Sequence, residues 1–317
     1  MHRKTTTFLL LLVGCTLSGH CGKQDTQTAA SPSTDRQPTK APVPTTPKTE
    51  TKPPPSMDEK VTHIIRTMGG RQQCNRLTGC NLAQELGRLG PTASTAIQTV
   101  YRKTKGDAHG RIQLINAVSR TGDRNAGNFL MDVLRSDRLP PSRVEALYGI
   151  ARLGLKVHLQ SLVNLADTLD SKRDQGVLLA LGYALDRLGS PRGKPMIEKH
   201  FVLPPLDSRR WDQLQPGIYA AGILRLTALR PQLEVLIKRS DPFTRRDAVT
   251  ALGRMRDRAA IKPLIECLQD DMPSVRREAL NALQQITGFR HKESYDEWKR
   301  WWNTKRTKQE HINTSGG

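Results

Sequence analysis

Five cysteines and eight histidines are the residues of this chain best equipped to ligate a metal or to attack a substrate. Their arrangement argues against both. No H-E-x-x-H, G-x-S-x-G or G-x-x-x-x-G-K-[ST] pattern occurs, so the paired histidines of a zinc protease, the nucleophile elbow of a hydrolase and the glycine cradle of a phosphate site are all missing. Gly193-Lys194-Pro195 lacks the further glycines that a phosphate loop needs. Glu198 and His200 are neighbours in sequence but would lie on different faces of a helix. Cys267, flanked by Leu264, Ile265 and Leu268, reads as a buried free thiol. The expectation is therefore a non-enzymatic chain with no catalytic residue, cofactor or metal, although groups can still converge from distant segments.

Cys15 has a different chemistry. Met1-His2-Arg3-Lys4 is basic, and Phe8–Val13 is an apolar run too short to span a bilayer. Leu12-Val13-Gly14-Cys15 then resembles the bacterial lipobox, in which a small residue precedes a cysteine that becomes lipidated and N-terminal. The resemblance implies a signal peptide at 1–14 and an exported, membrane-anchored lipoprotein in the periplasm. Thr16, where an aspartate would retain the protein at the inner membrane, points to the outer membrane. Cys21 is a poorer candidate because bulky His20 precedes it. The competing reading is an ordinary secretory signal cut near Ser18-Gly19, without an A-x-A site. Residues 15–56 hold the lipidated cysteine and a stretch rich in Pro, Thr, Ser, Gln and Lys, read as a disordered tether. In an exported chain, Cys74 and Cys80 bracket a short polar loop and are expected to form a local disulfide. No second Cys or His pair at ligand spacing accompanies them.

Charge is the next constraint. The net charge is +20; Arg3 and Lys4 contribute +2 and residues 16–56 another +2, leaving +16 on 57–317. Such a field favours anionic partners, such as acidic proteins, lipid or polysaccharide; a simply solvated surface is the competing reading. Nucleic acid fits the charge but not the export signal, and is not expected.

These residues must be positioned by helices. Aromatics make up 4% of the chain, which suits Leu/Ile/Val/Ala helix packing. Val61, Ile64, Ile65 and Met68 form an i, i+3, i+4, i+7 stripe, repeated by Phe129, Leu130, Val133 and Leu134, by Leu159, Leu162, Val163, Ala166 and Leu169, and by Ile261, Leu264, Ile265 and Leu268. Glycines 90, 122, 154 and 189 follow at intervals of 32, 32 and 35 residues, and 99 residues separate Gly189 from Gly288. That gap holds three more units, one closing near Arg256. Glycine suits a left-handed helix C-terminus. A period near 32 describes helix–turn–helix units that must stack to bury their apolar faces.

The repeat is sharpest where Asp241-Pro242-Phe243-Thr244-Arg245-Arg246-Asp247-Ala248 returns as Asp271-Met272-Pro273-Ser274-Val275-Arg276-Arg277-Glu278-Ala279. This resembles short HEAT repeats of the phycobilisome-lyase type, strongly over 240–288, moderately over 140–190 and weakly over 57–125. The resemblance implies an all-α, right-handed α-solenoid of about seven hairpins over 57–288. It also implies that Arg245 and Arg276 are ladder residues pairing with loop aspartates. Some HEAT-like proteins are lyases, so a lyase-type enzyme is the least favoured alternative. Asp241 caps a helix, Pro242 suits its first turn, and Ala248 and Ala251 allow close helix approach.

Candidate partner-binding residues fall in two groups. Arg246, Arg254, Arg258, Lys262 and Arg277 are read as a basic outward surface. Arg209, Arg210 and Trp211 sit in an elongated loop, 203–217, able to grip a partner or to fold onto the stack. Beyond Gly288, Tyr295, Trp298, Trp301 and Trp302 share one helix face. A capping helix with a polar tail over 289–317 is expected, with membrane-interface insertion as the alternative. The function these features imply is a membrane-tethered scaffold of the cell envelope that docks a protein partner, an acidic one by charge. The alternative is a basic solenoid binding an anionic surface or polymer. Neither oligomeric state nor partner identity follows from the residues.

Overall fold

Apolar stripes of helical period, punctuated by glycine at a fixed interval, can bury themselves only by stacking. They do so in the computed structural model, which describes residues 54–69, 81–204, 213–239, 241–289 and 294–314, all within one compact unit, Pro53–Gly317. Among the described residues there are fifteen α-helices and no strand. They are α1 (Met57–Gly69), α2 (Asn81–Arg88), α3 (Ser94–Lys103), α4 (Ala108–Arg120), α5 (Gly127–Ser136), α6 (Pro140–Leu153), α7 (Leu159–Ala166) and α8 (Gln175–Arg187). There follow α9 (Gly193–His200), α10 (Gln215–Ile223), α11 (Arg230–Leu236), α12 (Pro242–Met255), α13 (Ile261–Glu266), α14 (Pro273–Thr287) and α15 (Tyr295–Thr314).

The even-numbered helices pack on one another in order, from α2·α4 to α12·α14. The odd-numbered helices form a second row, most of them packed on the even helix that follows. The result is an α-solenoid of seven hairpins closed by α15. Two clusters fill it, one reaching from Val61 to Leu188 and the other from Leu179 to Trp298, so α8 contributes to both. Each sequence-predicted stripe supplies buried or half-buried residues to them.

Backbone geometry marks the period more completely than the glycines do. Left-handed residues close even helices at Gly90, Gly122, Gly154, Gly189, Arg225, Arg256 and Gly288, with φ between 52° and 92°. The expected closure near Arg256 is present, and Arg225 supplies the one between it and Gly189. Close approach within the even row has its own requirement. A β-carbon on Gly253 would meet Ala282 Cβ at 2.6 Å, and one on Gly222 would meet Ala251 Cα at 2.9 Å.

At the C-terminal end Trp298 is fully buried, while Tyr295, Trp301 and Trp302 are half-buried against the second cluster. Here α15 packs on α13 and covers the last apolar face. The helix continues to Thr314, beyond the aromatic face where a polar tail was expected.

Candidate functional site

The arginines divide into those that hold the stack together and those that the stack displays. Arg245 on α12 donates from Nε and Nη2 to Asp270 Oδ2 and Oδ1, each at 2.8 Å, and from Nη1 to the Arg239 carbonyl at 2.8 Å. One guanidinium therefore binds the end of α11 and the loop after α13, tying three successive helices. Arg143 does the same with Leu134 O and Asp174 (3.0 Å each), and Arg111 with Thr104 O and Asp137 (2.9 and 2.8 Å). Burial alone would raise the Asp137 and Asp270 carboxyls, but their arginines and a backbone N–H outweigh it and hold both below the usual range. On α8 the ladder continues with Gln175, which donates to the carbonyls of His200 and Val202.

Arg245 is thus the ladder residue that the repeat resemblance implied. Arg276 departs from that expectation: its Nη1 donates to the backbone carbonyls of Asp270 and Asp271, at 2.8 and 3.2 Å, and among the described residues to no aspartate side chain. The reason is its position on α14, since the loop that would return a carboxylate lies beyond the last helix. Arg111 and Arg143 escaped the sequence reading. Both stand eleven residues before a left-handed turn residue, as Arg245 does before Arg256, and that offset was the available signal.

Part of the displayed set lies on the even row. A single groove of about 890 Å³ draws on α4, α6, α8, α10, α12 and α14, so this row curves around it. Tyr148, Tyr183 and Tyr219, from three consecutive even helices, meet edge-to-face with centroids 5.4–5.5 Å apart. Burial, followed by the neighbouring Tyr219 phenol, pushes the Tyr183 hydroxyl up to about 12, so it stays neutral at ordinary pH. Beside them Glu145 accepts from Asn116 Nδ2 at 2.6 Å, with Arg152 at 4.0 Å. Burial raises its carboxyl to about 7 against the pull of Arg152, Asn116 and Arg120. Asp247 accepts from Gln215 at 2.7 Å and from Arg246 at 2.6 Å, and Glu278 from Thr250 at 3.4 Å.

The predicted basic surface is not one surface. Arg254 is exposed at the groove, its guanidinium 5.9 Å from the Tyr219 ring. Arg246 is the correction: it is 6% exposed, locked on Asp247 and lying 5.7 Å from the Phe243 ring centre. It lines the groove wall and does not project outward. Arg258 and Lys262 are exposed near the start of α13, in the other row, and Arg277 is exposed on α14. The loop candidates Arg209, Arg210 and Trp211 lie outside the described residues, as do Cys15, Cys74 and Cys80. Cys267 is buried with a free thiol, pushed up to about 12 chiefly by burial. No group of three His, Cys, Asp or Glu is gathered for a metal among the described residues, and none of their helices is long and apolar enough to cross a membrane.

A family profile described as HEAT repeats matches residues 229–297, which span α11 to the start of α15. This segment is similar in sequence to HEAT repeats. The even/odd arrangement of α12–α14 is repeated in the described helical hairpins before it. No curated protein matches the chain. Among solved structures, human deoxyhypusine hydroxylase in complex with glycerol is similar at 18% identity, covering 74% of this chain and 98% of that one, with a TM-score of 0.34. At that score the likeness carries no argument about activity.

Proposed function

We propose that this chain is a non-enzymatic HEAT-repeat scaffold, tethered through a lipidated Cys15 to a membrane of the cell envelope, that docks another protein. The observation that carries the docking half is the groove itself. It runs across six consecutive even helices, and its exposed lining is Arg173, Arg254, Tyr219, Pro140 and Pro141 rather than the alkyl side chains of a core. The repeats, in this reading, are of the short phycobilisome-lyase-like kind, which speaks to fold and not to chemistry. The tether half rests on the basic, apolar and Leu12-Val13-Gly14-Cys15 order of the first fifteen residues, which favours a periplasmic, outer-membrane lipoprotein.

The test is site-directed photo-crosslinking of the full chain expressed in bacterial cells. A photoreactive residue replaces either Tyr219 in the groove or Lys262 in the opposite row. A discrete polypeptide adduct from position 219 and none from 262 is expected; no adduct, or equal adducts from both, refutes groove docking. Mass analysis of the mature N-terminus decides the anchor. A diacylglyceryl group on Cys15 is expected, and an unmodified Cys15 on an intact N-terminus refutes it.

A further inference from the structure

An ordered charged row runs along the even helices and forms a rim where it reaches the groove, at Arg254. Two residues before the left-handed closures stand Arg88, Arg120, Arg152, Arg187 and Arg254, one from each of α2, α4, α6, α8 and α12. Ile223 takes that place on α10, and all six side chains are exposed. The rungs are spatially continuous. Arg152 donates to Ser119, the residue beside Arg120, and burial and the nearby Arg152 charge push the Arg120 guanidinium down. Arg254 lies over Tyr219, whose ring reaches Tyr183 and Tyr148. Internal compensation is slight: Arg88 pairs with Glu85 at the open surface and Arg152 reaches Glu145 at 4.0 Å, while Arg187 makes no hydrogen bond or ion pair within the described protein.

We propose that this rim docks an extended acidic segment of another polypeptide, with an acidic residue at about every third position and one apolar residue facing Ile223 and Tyr219. The proposal rests on the scaffold reading and specifies its partner. Packed helices lie about 8–10 Å apart, and an extended chain advances about 3.3 Å per residue, so one rung corresponds to three residues. A guanidinium fork matches a carboxylate with two parallel hydrogen bonds. Asp247 and Glu278 line the groove that the row reaches; they repel an unbroken polyanion, whereas a peptide offers them backbone N–H groups between its own acids. Charge also excludes occupants from this chain. Residues 16–56 carry +2, and residues 57–317 of a second copy carry +16.

The experiment measures binding of a fluorescent peptide of about sixteen residues to the full chain by anisotropy, at low and high salt. The peptide has Glu at every third position and Leu in place of the fifth Glu. A Gln-substituted peptide and inorganic polyphosphate are the comparison probes. Saturable binding is expected, at least tenfold weaker for the Gln peptide and for the Arg120→Ala/Arg152→Ala/Arg187→Ala variant, and unchanged by Arg258→Ala/Lys262→Ala. Should the triple variant lose its helical circular dichroism, Arg187→Gln alone decides, with a loss of about threefold expected. Equal binding by the arginine variants, loss through Arg258 and Lys262, or polyphosphate binding more tightly than the acidic peptide overturns the proposal. The two readings fail separately, because an adduct retained at position 219 without peptide binding leaves the scaffold and removes only the acidic partner.

Discussion

Replacing Arg245 by methionine keeps much of the side-chain volume and removes the charge that three helices share. Asp270 is then left 9% exposed, with the Met272 N–H at 2.9 Å in place of a two-pronged guanidinium, and the Arg239 carbonyl loses its donor. Breaking a buried pair from one side costs about 3–5 kcal/mol, because the surviving charge stays desolvated. The second carboxylate, Asp271, adds little, since its side chain is 82% exposed. In a domain of this size about 2–4 °C accompanies each kcal/mol, so the melting temperature should fall by about 6–20 °C. Two controls bracket this value. Arg88→Ala breaks the Arg88–Glu85 pair, with side chains 70% and 39% exposed, and should cost about 0–1 kcal/mol. Asp270→Asn added to Arg245→Met should restore most of the loss by removing the stranded charge.

The pH dependence of the same pair has a definite sign. Asp270 titrates below its usual range when folded, so its contribution is complete above the unfolded carboxylate value near 4 and is lost as pH falls through the folded one. The gap between wild type and Arg245→Met must therefore shrink below about pH 4. Because repeat arrays can open in parts, melting by circular dichroism should be paired with hydrogen exchange, where the loss of protection centres on α11–α14. A variant no less stable than Arg88→Ala, with protection unchanged across those helices, refutes the ladder as a stabilising element.

Three further outcomes follow from the same geometry. Arg225→Gly and Arg256→Gly relieve left-handed strain at exposed positions and should each stabilise by up to about 1 kcal/mol, read as a higher melting temperature; destabilisation would show that these arginines hold the turns. Gly253→Val forces side-chain atoms against Ala282 Cα and Cβ and should cost at least about 1–3 kcal/mol by denaturant titration, whereas an unchanged midpoint would mean that α12 and α14 slide apart freely. Glu145, raised to about 7 by burial, holds its proton in the folded state, so wild-type stability erodes as pH rises from about 4 through 7. Glu145→Gln should therefore stabilise at pH 8, by something on the order of 2–3 kcal/mol, and give no gain at pH 4; a gain independent of pH contradicts the assignment.

What the sequence determined by itself was the class and the period. Stripes such as Phe129, Leu130, Val133 and Leu134 have one way to be buried, and glycines recur where a left-handed residue closes a helix, so stacked hairpins follow from local chemistry alone. The Asp241 cap was legible for the same reason, and the repeat resemblance implied that Arg245 pairs with a loop aspartate, which the structure shows to be Asp270. The closure at Arg225 was hidden, because an arginine leaves no glycine signature although the backbone takes the same turn. Which arginines show themselves was a tertiary decision. Arg245 and Arg246 are sequence neighbours, both now under 10% exposed, while Arg254, two turns on along the same helix, is open. The rim from Arg88 to Arg254 is assembled from residues scattered over 167 positions. Their adjacency exists only after the even helices have stacked, because stacking turns a fixed offset within each repeat into a row in space.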